Sequence, residues 1–229
     1  MKNLRNFLLI AFVGLSTSTF AQFTNSSSST NSTTSTSGWN RVFIEYNPSK
    51  ITTDIDEADD LDFKGFSIGY MRGISVTQKL PLYVEAGVAF QYRTYKEDIE
   101  DSYYDYTEKI NTASLNIPVH LLYRFNVTND FAIEPFVGLD FRFNISGKYK
   151  IEADGESEDL NLFDKDDMDQ IGFDAFKRFQ AGWHIGVNLN YKPVYFGVHY
   201  GKDFNEIHDH MKVATTHITL NSYLIDGFT

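Results

Sequence analysis

Cysteine is absent from the 229 residues, which excludes a disulfide framework, a thiolate metal site and lipid attachment through an N-terminal cysteine. Basic residues are also scarce: 20 Lys and Arg stand against 31 Asp and Glu, giving a formal net charge of -11 and a pI near 4.9. Phosphate backbones are bound by a concentrated Lys and Arg face that releases counterions. The sequence therefore predicts no nucleic-acid partner.

Long apolar stretches are missing too, and the clearest short one lies near the N-terminus. It covers residues 7–15 and follows two basic residues, whereas a membrane-spanning helix needs roughly 18 or more apolar residues. This pattern, ending at Ala21, is typical of a secretory signal peptide and predicts that residues 1–21 are cleaved off. Residues 22–38 are rich in Ser, Thr and Asn and predict a disordered tether, so the folded domain is expected to span residues 39–229.

What the sequence does contain is strict alternation of apolar and polar residues, the mark of strands with two unlike faces. From Phe179 to Tyr191 every odd position is apolar and every even position is small or polar. Further runs of this kind, weaker at the two extremes, cover residues 41–48, 66–76, 82–95, 115–125, 131–145, 194–203 and 214–224. Together these runs predict eight β-strands.

The connections between the runs alternate between short ones and longer, mostly acidic ones. Tight turns on the periplasmic side and longer loops outside are the layout of a transmembrane barrel, and the central runs match the roughly 9 to 11 residues that a tilted strand needs to cross hydrocarbon. Pro118 and Pro135 lie within runs and predict local bulges, because each removes a ladder hydrogen bond. The predicted fold class is all-β: a single eight-stranded antiparallel up-and-down transmembrane β-barrel.

The composition of the polar face indicates which side meets lipid. Its positions hold many glycines together with charged groups of both signs, and this mixture suits the crowded interior of an eight-stranded barrel better than a solvated surface. The apolar face must then point outward, which only lipid tolerates. The residues predicted to face lipid are Ile133, Val137, Leu139, Phe141, Trp183, Ile185, Val187 and Leu189.

Charged residues on the polar face predict ion pairs inside the barrel. Arg124 lies near the same end of its strand as Glu85 and Glu134 do on theirs, so Arg124 is expected to bridge the two glutamates. A second cluster is expected further along the lumen. The predicted lumen charge network consists of Glu85, Arg93, Arg124, Glu134, Asp140 and Arg142.

Two segments resemble strands of the PorT-like or OmpX-like family of small outer-membrane β-barrels. Leu115–Phe125 is similar to one strand signature of that family, and Phe131–Gly138 is similar to the strand that follows it. The resemblance implies location in the outer membrane of a Gram-negative bacterium, contact with outer-membrane lipid and insertion by the barrel-assembly machinery. It implies no substrate and leaves any extracellular or envelope partner unknown.

The sequence does not single out a catalytic set. His208, Asp209 and His210 in the last long connection, and His217 on the last strand, are the candidates, but one sequence does not place a nucleophile beside its base. The prediction is therefore no enzyme, no catalytic residue, no cofactor and no metal. Acidic connections at residues 54–62 and 152–169 offer oxygen ligands for calcium without the spacing of an EF-hand, and calcium binding stays open.

The predicted function is that of a non-enzymatic outer-membrane barrel with a side-chain-filled lumen and acidic extracellular loops. Its role would be structural or binding, or that of an envelope-assembly subunit. Two alternatives remain open from the sequence. One is a lipid A-modifying barrel enzyme of the acylase or deacylase type, and the other is a narrow pore.

Overall fold

The strands of the chain form a closed antiparallel barrel. The computed structural model describes residues 38–53, 60–77, 79–100, 105–153, 156–192, 194–208 and 211–225, so the expected signal peptide and nearly all of the expected tether lie outside them. The elements are β1 (Trp39–Tyr46), β2 (Ser49–Thr53), β3 (Leu61–Ser75), β4 (Leu82–Glu100), β5 (Asp105–Tyr123), β6 (Phe125–Asn126), β7 (Phe131–Ala153), β8 (Glu156–Asn161), α1 (Lys165–Gln170), β9 (Phe179–Tyr191), β10 (Val194–Asp203) and β11 (Met211–Ile225).

Strand pairing leads around the barrel and back to its start. The order is β1, β11, β10, β9, β7, β5, β4 and β3, and β3 pairs with β1 again. Strand β2 pairs with the same two neighbours as β1, so it continues β1 at the same barrel position. Within the described residues β6 and β8 pair only with β7. The strands thus fill eight positions, which confirms the predicted eight-stranded antiparallel barrel.

The two ends of the barrel differ in their connections. The turn end carries the short connections at residues 76–81, 127–130 and 192–193, and the loop end carries the longer ones. Strand β1 begins and strand β11 ends at the turn end, because Asn40 pairs with Ile225 there.

Alternating burial explains why these segments form strands. In β9 the even positions are buried or half-buried, and the exposed odd positions are mostly large apolar residues. Strands β3 and β10 repeat the pattern, with Phe66, Ile68, Phe196 and Val198 exposed. Period-two alternation places like side chains on one face of a pleated strand. The result is a barrel with polar and small residues inside and apolar residues outside.

Several strands are longer than their apolar pattern. β4 runs on to Glu100, β5 begins at Asp105 and β7 runs on to Ala153, in segments that were expected to be loops. These extensions pair in register, as with Lys96 opposite Lys109, and both of their faces carry polar residues among a few apolar ones. Antiparallel ladders need only backbone groups, so a polar hairpin continues the sheet without any hydrophobic alternation.

The longest expected loop, residues 146–178, is largely structured. It contains the end of β7, strand β8, and helix α1, whose N-terminus is capped by Asp164 through bonds from the backbone N–H groups of Asp166 and Asp167. None of the helices in the described residues has the length and apolarity needed to cross a bilayer.

The two strand prolines do not produce the expected bulges. Pro118 pairs in register with Asp140, and the β4–β5 register is the same on both sides of Pro118. Pro135 likewise pairs in register with Val187. The register shift between β5 and β7 lies instead between Ala113 and Ser114. Each proline removes one hydrogen bond between its strand and the neighbouring strand, and the register of the pair is kept despite that loss.

Candidate functional site

A fully buried charge belongs to Arg41, on the inner face of β1. Its guanidinium group forms ion pairs with Glu85 at 3.3 Å and with Glu134, and it also donates to Asn190 Oδ1 at 3.3 Å. The group lies over the Tyr195 ring, 4.6 Å from its centroid. Buried charges are tolerated when they are paired and hydrogen-bonded in this way. We call Arg41, Glu85 and Glu134 the turn-end network.

The expected bridge through Arg124 is wrong, because Arg41 joins the two glutamates instead. Arg124 reaches only Glu134, at 3.4 Å, from the rim of the turn end, where its side chain is 26% exposed. Glu85 accepts instead from Trp39 Nε1 at 2.7 Å and lies 3.3 Å from His120 Nδ1. The reason is strand position: Arg124 lies just past the end of β5, whereas Arg41 lies within β1, on its inward face.

A second ionic contact lies nearer the loop end, and its partners differ from those expected. Arg142 pairs with Asp203 of β10, a residue outside the predicted network, and β9 lies between their two strands. Arg93 is buried, donates to Ser49 Oγ at 3.5 Å and lies within electrostatic reach of Asp203 and Asp140. The structure therefore brings Arg93, Asp140 and Arg142 to one region of the lumen, with Asp203 as the added member.

Four histidines lie between these two charged layers. His120, His184, His199 and His217 project inward from β5, β9, β10 and β11, and their rings form a chain of contacts with centroid separations of 4.6, 5.3 and 4.1 Å. His217 Nδ1 ends the chain 3.1 Å from Glu45 Oε2 on β1. We call these four residues and Glu45 the histidine arc. Sequence reasoning named only His217 as a chemistry candidate and missed the arc, because each of these strands contributes a single histidine.

Inward glycines make room for the arc. A Cβ added at Gly138 would lie 2.2 Å from His184 Nε2, and one added at Gly186 would lie 2.3 Å from His199 Cβ. Both distances are far below van der Waals contact, so these positions admit no side chain while the imidazoles stay in place. Two of the glycines that suggested a crowded interior are thus direct neighbours of histidine side chains in the arc.

A short Gly-x-Ser-x-Gly sequence, Gly65 to Gly69, also faces the lumen. Nucleophilic serines of this motif stand at a sharp strand-to-helix turn. Ser67 instead lies within β3, where its hydroxyl donates to Glu45 Oε2 at 3.0 Å and accepts from Asn47 Nδ2 at 2.7 Å. The base of such a serine is a histidine, and neither of these two hydrogen-bond partners of Ser67 is one.

Buried side chains pack together at both ends of the barrel interior. At the turn end Trp39, Tyr83, Leu122 and Phe136 form one buried cluster. At the loop end the segment from β8 through residue 176 folds over the opening as a cap. The buried residues of this second cluster are Ile51, Phe63, Tyr95, Ile110, Leu162, Met168, Ile207 and Val213. Between the two clusters lies a cavity of about 30 Å³, and all five residues of the histidine arc contribute to its lining.

The residues expected to face lipid all project from the outer face. Val137, Leu139, Trp183, Ile185, Val187 and Leu189 are exposed, and Ile133 and Phe141 are half-buried between neighbouring outer side chains. Along the strand, each of them alternates with buried or half-buried residues that face inward. The exposed apolar face continues on β1, β3 and β10.

The chemistry candidates of the last connection are separate from the lumen. His208 Nε2 lies 3.0 Å from the backbone oxygen of Asp174, and its ring packs on Phe176 of the cap. Asp209 and His210 lie outside the described residues.

On the β4–β5 hairpin, hydrogen bonds from Lys96 and Thr107 lower the pKa of Asp98.

Solved structures similar to the chain include two bacterial surface proteins. The crystal structure of Ail, the attachment invasion locus protein of Yersinia pestis, aligns with a TM-score of 0.43 at 15% identity, over 82% of this chain and 97% of that chain. Neisserial surface protein A aligns with a TM-score of 0.40 at 15% identity, over 82% and 97% of the two chains. No curated protein sequence matches at a significant level.

The family comparison covers most of the chain. A family described as "Outer membrane protein beta-barrel domain" matches residues 13–209. The closed antiparallel circuit and the apolar outer face are the features that such a domain requires. The chain therefore belongs to the outer membrane protein β-barrel domain family, and it is a transmembrane β-barrel of the Gram-negative outer membrane.

Proposed function

We propose that the chain is a non-enzymatic barrel with a plugged lumen, which presents acidic loops outside the cell. Its role is structural or binding, either alone or as a subunit of an envelope assembly. The apolar outer face contacts outer-membrane lipid, and the barrel-assembly machinery inserts the chain. The turn end faces the periplasm, because barrels of this kind keep their short connections on that side.

Packing at both ends of the lumen is the observation that carries the proposal. A pore needs a continuous path of water, whereas the turn-end cluster and the cap each seal the lumen with buried aromatic and aliphatic side chains. Arg41 adds ionic links across the barrel from β1 to Glu85 on β4 and Glu134 on β7. These contacts favour a rigid plug over a gated channel.

The lumen also argues against lipid chemistry. A lipid A-modifying enzyme works on acyl chains at the outer face of its barrel, whereas the described histidine–carboxylate contacts, His217 with Glu45 and His120 with Glu85, face inward. Ser67, the serine of the Gly-x-Ser-x-Gly sequence, faces the same interior. A base and a nucleophile enclosed within the barrel have no access to a lipid substrate.

The loop end supports a binding role through its charge. Exposed carboxylates stand on β8 at Glu156, Glu158 and Asp159, and on α1 at Asp166 and Asp169. Such a surface attracts cationic groups and repels the anionic sugars of the same membrane. The rigid barrel holds these groups on ordered elements, which favours recognition of a partner with a basic surface.

Planar bilayer recording tests the plugged lumen. The purified wild-type barrel is expected to insert without producing unitary current steps, because neither end offers a water path. An established porin added afterwards to the same bilayer serves as the positive control. Steady unitary currents from the wild-type barrel, abolished when it is heat-denatured before addition, would contradict a plugged lumen.

Mass spectrometry of lipid A tests the absence of enzymatic activity. Cells with and without the protein are expected to give the same lipid A species. Gain or loss of an acyl chain that depends on the protein, and that disappears in a Ser67→Ala variant of equal abundance, would identify an enzyme instead.

A further inference from the structure

The histidine arc contains a set of groups that the plug itself does not require. One ligand atom each from Glu45, His199 and His217 lies within 4.8 Å of the other two. The His199 and His217 rings stack with centroids 4.1 Å apart and planes at 11°. A tetrahedral zinc ion, bound at roughly 2.0 to 2.2 Å, holds its ligand atoms roughly 3.4 Å apart. Small side-chain rotations that move the ligand atoms by about an ångström would therefore place all three within bonding distance of one ion.

The backbone holds these side chains in position from both sides. His199 and His217 are direct partners between β10 and β11, and Glu45 pairs with Thr219 on the next strand pair. Ser67 Oγ and Thr219 Oγ1 donate to the two oxygens of the Glu45 carboxylate, at 3.0 and 3.2 Å. Hydrogen bonds of this kind orient a ligating carboxylate and tune its basicity.

The surrounding cavity has room for an ion. Its volume of about 30 Å³ exceeds the ~10 to 15 Å³ that one water molecule requires, and His120, His184 and Asp140 also line it. The side chains of His217 and Glu45 are 14% and 10% exposed, and both border this cavity. An ion held by three protein ligands thus has a neighbouring space for a water molecule as its fourth ligand.

We propose that Glu45, His199 and His217 bind one borderline divalent transition-metal ion, best matched by zinc, inside the barrel. Two imidazoles and one carboxylate suit this class of ion, whereas calcium and magnesium take oxygen ligands alone. The site lies across β10, β11 and β1, and β11 and β1 are the strands that close the barrel. A bound ion would link β11 and β1, the two strands at which the barrel closes. This inference does not depend on the plugged lumen, since the packed side chains would stop ion flow whether or not the metal is bound.

Metal titration of the full barrel tests the proposal. The protein is purified from outer membranes in detergent without a polyhistidine tag, stripped with a chelator, and titrated with Zn²⁺ against a chromophoric competitor. We expect saturable binding of one Zn²⁺ per chain. Co²⁺ in place of Zn²⁺ is expected to give visible absorption bands of a low-coordinate site with nitrogen ligands.

Matched variants assign the ligands. Glu45→Gln and His217→Gln are expected to weaken Zn²⁺ binding by about 100-fold, since ligand removal costs at least as much as loss of a supporting hydrogen bond. His208→Gln removes a histidine that packs on Phe176 of the cap, away from the site, and is expected to bind as the wild type does. Circular dichroism and heat-modifiable electrophoretic mobility confirm that each variant is folded.

Clear results would overturn the site. Absence of stoichiometric Zn²⁺ binding by the folded wild-type barrel would do so, as would unchanged binding in both Glu45→Gln and His217→Gln. Should a variant fail to fold, the wild-type protein decides the matter alone: Co²⁺ bands with a raised midpoint of unfolding support the site, and the lack of either refutes it.

Discussion

At the scale of single residues, the alternation of the sequence predicted which side chains point inward but not which of them meet. Glu85, Arg93, Glu134 and Arg142 are all inside, as their parity required. The partner of the two glutamates was misassigned because strand depth depends on the pairing of β1, a short strand whose alternation is weak. Glu45 and His217 are 172 residues apart and meet only because the barrel closes.

Arg41 is expected to be the most sensitive charged residue of the turn-end network. Arg41→Met removes the partner of both buried glutamates and is predicted to lower the free energy of unfolding by about 3 to 5 kcal/mol. Arg124→Ala, at the exposed rim, is predicted to cost about 1 kcal/mol or less. Guanidinium unfolding in detergent micelles measures both, and equal effects of the two substitutions would contradict the assignment of Arg41 as the bridge.

Inward glycines are expected to resist enlargement. A Cβ at Gly69 would lie 2.4 Å from the Phe43 ring, so Gly69→Val is predicted to lower the free energy of unfolding by about 1 to 3 kcal/mol through overpacking. Ala86→Val, on the outer face of the neighbouring strand, is the control and is predicted to be nearly neutral. A well-tolerated Gly69→Val would mean that the lumen is less densely packed than described.

At the scale of elements, the long hairpin extensions and the cap were not predictable from alternation. The β4–β5 extension carries polar residues on both faces, so its ladder leaves no hydrophobic period. The cap buries Leu162 and Met168 from a segment that is otherwise rich in carboxylates. The few apolar residues of this segment carry no sustained period, and their burial depends on packing against the open end of the barrel, which the sequence around them does not predict.

The cap is expected to open when its main anchor is shortened. Met168 is buried against the loop-end cluster, and Met168→Ala is predicted to cost about 2 kcal/mol or more locally. Trypsin cleavage after the exposed Lys165 should then become at least about 10-fold faster, because cleavage follows the population of the open form. Asp169→Ala, an exposed neighbour, is the control, and equal cleavage rates for the two variants would show that Met168 does not hold the cap.

At the scale of the whole molecule, the fold class was predictable because one signal was repeated around the barrel. Eight alternating runs with connections of alternating length leave few architectures other than an up-and-down barrel. Orientation of the two faces followed from composition, since glycine and mixed charges suit an interior filled by side chains. The closed circuit of pairing and the apolar exterior agree with both expectations.

The two tryptophans provide the most direct test of the central claim, that the apolar side of the barrel meets lipid. Trp39 is 4% exposed inside the turn end, and Trp183 is 38% exposed on the outer face. In vesicles of lipids brominated in the upper acyl chain, wild-type fluorescence is predicted to be strongly quenched, and that of Trp183→Phe, which retains Trp39, to be almost unchanged. Strong quenching in Trp183→Phe, or none in the wild type, would contradict the account.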